Sequence, residues 1–177
     1  MPIVYRKLPK TPVDQCAAYI QVTWRFSEDS ALRIYYAGLL VIDGKGRPLE
    51  FVHNSLDAPT GFLWPEDQVH SAAITSVCHS LFEACRHEPD MLVCTQTLGN
   101  YSFLRTELAV SIPFAQVNES AEPGVPAEWV WINDPPSPGM SASGLAEALQ
   151  TRGFTIEPFL RIQVGLLEIY PELRSEQ

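Results

Sequence analysis

The chain is predicted to fold as an α/β protein, and three segments carry that prediction. Gly38-Leu39-Leu40-Val41-Ile42 is an apolar run closed by Asp43-Gly44-Lys45-Gly46-Arg47, and Pro48 to Val52 returns as the second strand of a hairpin. Pro65 to Arg86 is long and amphipathic, as a helix lying on a sheet must be. Met91 to Thr95 is almost wholly apolar, the pattern of a short parallel strand buried on both faces.

The elements follow in order. Residues 1–13 carry Pro2, Pro9 and Pro12, which remove helical amide donors and leave an extended arm. Cys16 to Phe26 alternates Tyr19, Gln21 and Thr23 with Ile20, Val22 and Trp24, and its β-branched and aromatic residues predict a strand. Ser27 to Ser30 is a turn, Leu32 to Ile42 the next strand, and Leu49 to His53 the third, giving an antiparallel meander. Asn54 to Trp64, with Pro59 and Gly61, reads as a loop. Pro65 suits a first helical turn, and Glu66 and Asp67 complement the positive end of the helix dipole. Val69, Ala73, Val77, Leu81 and Ala84 form the apolar stripe of this helix, widened by Ile74, Cys78 and Cys85.

Beyond the Met91–Thr95 strand, Leu98 to Val110 reads as a short helix and Ile112 to Val117 as another buried strand. In Glu128 to Asn133, Trp129 and Trp131 are two apart and share one face of a strand. Asp134 to Gly139 is a Pro-rich loop, after which Ser141 can cap a helix ending near Gly153. In the final segment, Leu160 to Tyr170, two patterns compete. Leu160, Ile162, Val164 and Leu166 alternate as a strand does, while Phe159, Ile162, Leu166 and Tyr170 keep helical spacing behind Pro158, which favours helix.

The resulting order, βββαβαβ, resembles the ribonuclease H-like topology over roughly Cys16 to Val117. A profilin-like or roadblock-type α+β sheet is the alternative. At 177 residues the chain is expected to be a single domain, with an arm at 1–13, a core at 14–117 and a C-terminal extension at 118–177.

Composition narrows the function classes. No apolar run approaches the ~18 residues of a membrane span, and no apolar stretch follows the basic residues near Met1, so a cytoplasmic location is expected. Four cysteines in a chain of this length make no disulfide framework and are expected to be buried thiols. The net charge is −9, which speaks against a nucleic-acid partner. The charge is uneven: residues 1–47 hold seven basic and four acidic side chains, net +3, and the remainder holds five and seventeen, net −12.

The topological resemblance implies a test for two-metal nuclease chemistry, which needs converging carboxylates, one in the first strand and another at the end of the fourth. Neither Cys16–Phe26 nor Met91–Gln96 contains Asp or Glu. Asp43 supports its turn, Glu50 is expected to face solvent, and Asp90 lies at the wrong end of its strand. His70 with Cys78, and His79 with Cys85 and His87, lack zinc-site spacing, so no metal and no cofactor are expected. Gly44-Lys45-Gly46-Arg47 joins two strands rather than a strand to a helix and does not make a phosphate loop.

Two surfaces remain. Cys94 ends a buried strand and is followed by Thr95, Gln96, Thr97 and Asn100, a polar loop where open α/β sheets bind ligands. Trp129, Trp131, Trp64 and Phe62, together with the basic Arg6 and Lys7, form a candidate protein interface. The sequence therefore predicts a non-catalytic interaction or scaffold protein with a protein partner or a second copy of itself. Its rival is a small-molecule binder or enzyme using Cys94 to Asn100.

Overall fold

A computed structural model describes residues 15–28, 31–60, 65–95, 98, 111–118 and 127–176. Within them a six-stranded mixed sheet is formed by β1 (Cys16–Phe26), β2 (Leu32–Asp43), β3 (Pro48–Pro59), β4 (Met91–Cys94), β5 (Phe114–Asn118) and β6 (Glu128–Trp131). The spatial order is β3-β2-β1-β4-β5-β6. β1 pairs antiparallel with β2 and parallel with β4, and β4 pairs parallel with β5. This is the α/β class and the ribonuclease H-like strand arrangement that the element order predicts. Three helices are described: α1 (Glu66–Ala84), α2 (Ser141–Thr151) and α3 (Glu157–Ile169), followed by a 3-10 turn at Pro171–Glu176.

The period-2 alternation of the strands separates two cores. Ala18, Ile20, Tyr35, Ala37, Leu39 and Cys94 face α1. Ala17, Tyr19, Leu40, Ile42 and Val93 face α2 and α3, which contribute Leu149, Phe159 and Ile162 to the same core. Both faces of β2 are therefore dry, which is why Ala37 to Ile42 is apolar without interruption. α3 lies close over β2: a Cβ at Gly38 would fall 2.6 Å from Cγ2 of Ile162. The β2–β3 hairpin closes on Asp43, whose carboxylate accepts from the backbone N–H groups of Lys45 and Arg47, both at 2.9 Å. Gly46 takes φ +79° there, with the Phe154 ring packed beneath it.

Several boundaries differ from expectation. β3 extends to Pro59 instead of ending at His53, because β2 offers a long edge and pairs with it as far as Leu32↔Pro59. α1 stops at Ala84, with Cys85 as its extended C-terminal cap. Ser141 is the first residue of α2, not its cap; Met140 precedes the helix and no side chain caps it. The helix does end as expected, with Gly153 at φ +82°. Leu160 to Ile169 is helical, and its strand-like alternation is incidental. The helix expected at Leu98–Val110 and the arm at 1–13 lie outside the described residues, Leu98 apart.

Candidate functional site

β1, β4 and β5 direct their carboxyl ends to one side of the sheet, and β1 overruns β4 there by six residues, from Gln21 to Phe26. On the α1 face this overhang presents Trp24 and Phe26, each 42% exposed, with ring centroids 5.5 Å apart and near-perpendicular planes. The register sets Arg33 of β2 opposite Phe26. Its guanidinium carbon stands 4.5 Å from the centroid of the Trp24 ring and 5.0 Å from that of Phe26. Both distances are within cation–π range.

A polar network fixes this guanidinium from below. Tyr35 Oη and Nδ1 of His70 are 2.7 Å apart, and Arg33 donates to the same ring nitrogen at 3.2 Å. Arg33 also pairs with Glu66 in the first turn of α1. Burial alone would lower the Arg33 pKa, but the hydrogen bonds to Tyr35 and Glu66 outweigh it and the net shift is upward. His70 moves the other way, held below its ordinary value by burial and then by the Arg33 charge, against a smaller opposing pull from Glu66. The site therefore holds a fixed cation under two aromatic faces and a neutral imidazole beside it.

The opposite face of the same overhang carries Gln21, Thr23 and Arg25. Gln21 and Thr23 line a cavity of about 120 Å³ with Gln163, Leu166 and Leu167 of α3 and Leu173 of the 3-10 turn. Gln21 Oε1 and Arg25 Nε are buried and have no hydrogen-bond partner among the described residues. Tyr36 donates to the Glu172 carboxylate at 3.2 Å, and burial followed by that negative charge pushes its phenol up to about 12.

Polar groups at the amino end of the sheet have structural roles. Glu50 does not face solvent as expected. Its carboxylate accepts from the backbone N–H groups of Arg86 and His87, at 3.0 and 3.1 Å, and meets the His87 ring at 2.6 Å, tying β3 to the end of α1. Asp90 accepts from the Cys16 N–H at 3.0 Å. Among the described residues no group of three His, Cys, Asp or Glu could hold a metal ion.

The candidate residues named from sequence are placed as follows. Cys94 is fully buried on the α1 face, and burial pushes its thiol pKa upward, opposite to activation. Thr95 is half-buried. Trp129 is 8% exposed, edge-on to Tyr19 and to the half-buried Trp131 in the second core. Gln96, Thr97, Asn100, Phe62, Trp64, Arg6 and Lys7 lie outside the described residues. The Trp24–Phe26–Arg33–His70 group escaped sequence reasoning. Its signal was present in the persistence of aromatic residues at alternate positions after β1 leaves its apolar stretch.

No protein-family model matches the chain, and no curated protein matches it. The search of solved structures finds endonuclease V from Bacillus subtilis, with a TM-score of 0.46 and 12% identity, covering 61% of this chain and 46% of that one. It also finds endonuclease V from Streptomyces avermitilis, with a TM-score of 0.40 and 15% identity, covering 72% and 60%. NurA with manganese follows at a TM-score of 0.30 and 17% identity, covering 55% and 23%. The chain thus spans 46% and 60% of the length of the two endonucleases V, and the likeness is one of fold. These findings correct two expectations. Two of the neighbours are endonucleases by name, which runs against the expected interaction-or-scaffold role with its small-molecule rival, and against the expectation that nucleic acid is an unlikely partner; both are corrected. Among the described residues no helix is long and apolar enough to cross a membrane.

Proposed function

We propose that the chain binds single-stranded nucleic acid at the carboxyl end of β1, with bases stacking on Trp24 and Phe26. The observation that carries this reading is the pair of half-open aromatic rings packed on a buried guanidinium at the end of the central parallel strand. Every base has a π-face, so stacking tolerates sequence and contributes about 1–3 kcal/mol per base. Arg33, its charge matched by Glu66, packs against both rings through cation–π contacts. The net charge of −9 limits how far phosphate attraction can contribute, so stacking dominates and the salt dependence is shallow.

The test is fluorescence anisotropy of a labelled oligothymidylate at low salt. Trp24→Ala is expected to weaken binding by about 5- to 150-fold, the equivalent of one stacked base. Phe26→Ala should act in the same direction. Equal affinity in the parent and both variants, or no binding by the parent chain, would remove this reading.

A further inference from the structure

The Pro171–Glu176 turn lies across the second face of the β1 overhang, and its contacts there resemble those of an anionic strand. Arg25 donates a guanidinium N–H to the Glu172 carbonyl at 2.5 Å, and Tyr36 donates to the Glu172 carboxylate. Tyr170, at the head of the turn, packs on the Tyr36 ring with centroids 4.9 Å apart and hydrogen-bonds His53 at 3.0 Å. Leu173 closes the cavity that Gln21, Thr23 and Gln163 line.

The fit beneath the turn is incomplete. Gln21 Oε1 and Arg25 Nε are buried without a partner among the described residues. Native proteins rarely leave such groups unsatisfied, and at Gln21 a cavity of about 120 Å³ leaves room for a further partner. A nucleotide strand brings phosphate oxygens for Arg25 and base donors for Gln21, which the turn's carbonyl, carboxylate and leucine supply only in part.

We infer that the Pro171–Glu176 turn is an intramolecular strap occupying a nucleic-acid contact surface made of Gln21, Thr23, Arg25 and Tyr36, and that it lifts when a strand binds. The inference rests on the proposed function, since it extends the strand's path from the aromatic face of β1 to its polar face. The strap is suited to lifting, because Pro171, Glu172 and Arg174 are exposed and Leu173 is its partly buried anchor.

Hydrogen exchange on the full chain tests this, with oligothymidylate binding followed by anisotropy in the same sample. The amides of Tyr170 and Leu173 are bonded to the carbonyls of Leu166 and Tyr170, at 2.8 and 3.0 Å, and are expected to be protected while the strap is closed. Saturation with the oligonucleotide should speed exchange across Tyr170–Glu176. Leu173→Ser should bind about 3- to 10-fold more tightly, and its log affinity should fall more steeply with log salt, by about 0.7 for one phosphate gained at Arg25. Glu172→Ala, which removes the carboxylate bonded to Tyr36 but no buried apolar group, should act in the same direction and guards against a folding defect in Leu173→Ser. Unchanged or slower exchange in a saturated complex, with unchanged affinity of both variants, overturns the strap while leaving Trp24-dependent binding intact. No binding by parent or variants overturns the proposed function and the strap together.

Discussion

At His70 a single ring nitrogen faces two donors, the Tyr35 hydroxyl and the Arg33 guanidinium. Nδ1 must therefore accept, and the neutral ring keeps its proton on Nε2. Protonation would add an N–H that opposes both donors, consistent with the downward shift of the His70 pKa through burial and the Arg33 charge. The sign of the pH effect follows. An unfolded histidine titrates near ~6.5, so just below that pH the unfolded chain binds more protons than the folded one. The His70 contribution to stability falls as pH drops from the unfolded value toward the lower folded value, and levels off beneath it. Urea unfolding between about pH 8 and about pH 5 should show this loss in the parent chain and a weaker one in His70→Gln. Little of this was legible in the sequence. His70 stood eight residues from Cys78 on a helix and invited comparison with a metal site, whereas Tyr35 and Arg33, which share its Nδ1, both come from β2. Arg33 looked like one basic residue among several until the hairpin register set it opposite Phe26.

The elements were more legible, and where they were not, a neighbouring element made the difference. Asn54-Ser55-Leu56-Asp57-Ala58-Pro59 has weak strand propensity, yet β2 templates it into β3 pair by pair. Trp129 and Trp131 alternate as expected, but the face they share packs inward, and Val130 points outward at 45% exposure. The seat of α3 on β2 depends on Gly38. Its missing side chain leaves room for Ile162 Cγ2 and, at 3.2 Å, the Phe51 ring. Gly38→Ala forces a methyl against a stiff, fully buried β-branched side chain and is expected to cost about 1–3 kcal/mol. Denaturant titration should show a lower midpoint with an unchanged slope. Glu50 joins β3 to α1 through charge-assisted bonds on a largely buried carboxylate. Glu50→Ala leaves those donors unmatched and should lower stability by about 2 kcal/mol, measured in the same way.

For the whole molecule, topology was readable because burial imposes its period on the sequence: alternation in β1, an unbroken apolar run in β2, and a helical stripe in α1. Function was not readable in the same way. The aromatic platform draws on β1, β2 and α1, so no contiguous motif encodes it. Net charge also misled, because it weighs against phosphate binding and is silent about stacking. The shared position of β1 between the two cores has a further consequence, which is a rule of parity. Even-numbered positions of the overhang belong to the aromatic side and odd-numbered positions to the amide-and-guanidinium side. Inserting one residue between Ile20 and Trp24 would exchange the two sides at a stroke, turning Trp24 and Phe26 toward α3 and Arg25 toward α1. The same insertion in the turn after Phe26 would leave the parity of β1 untouched. The frame of this strand, more than the identity of any one of its side chains, decides what the carboxyl end of the sheet offers on each side.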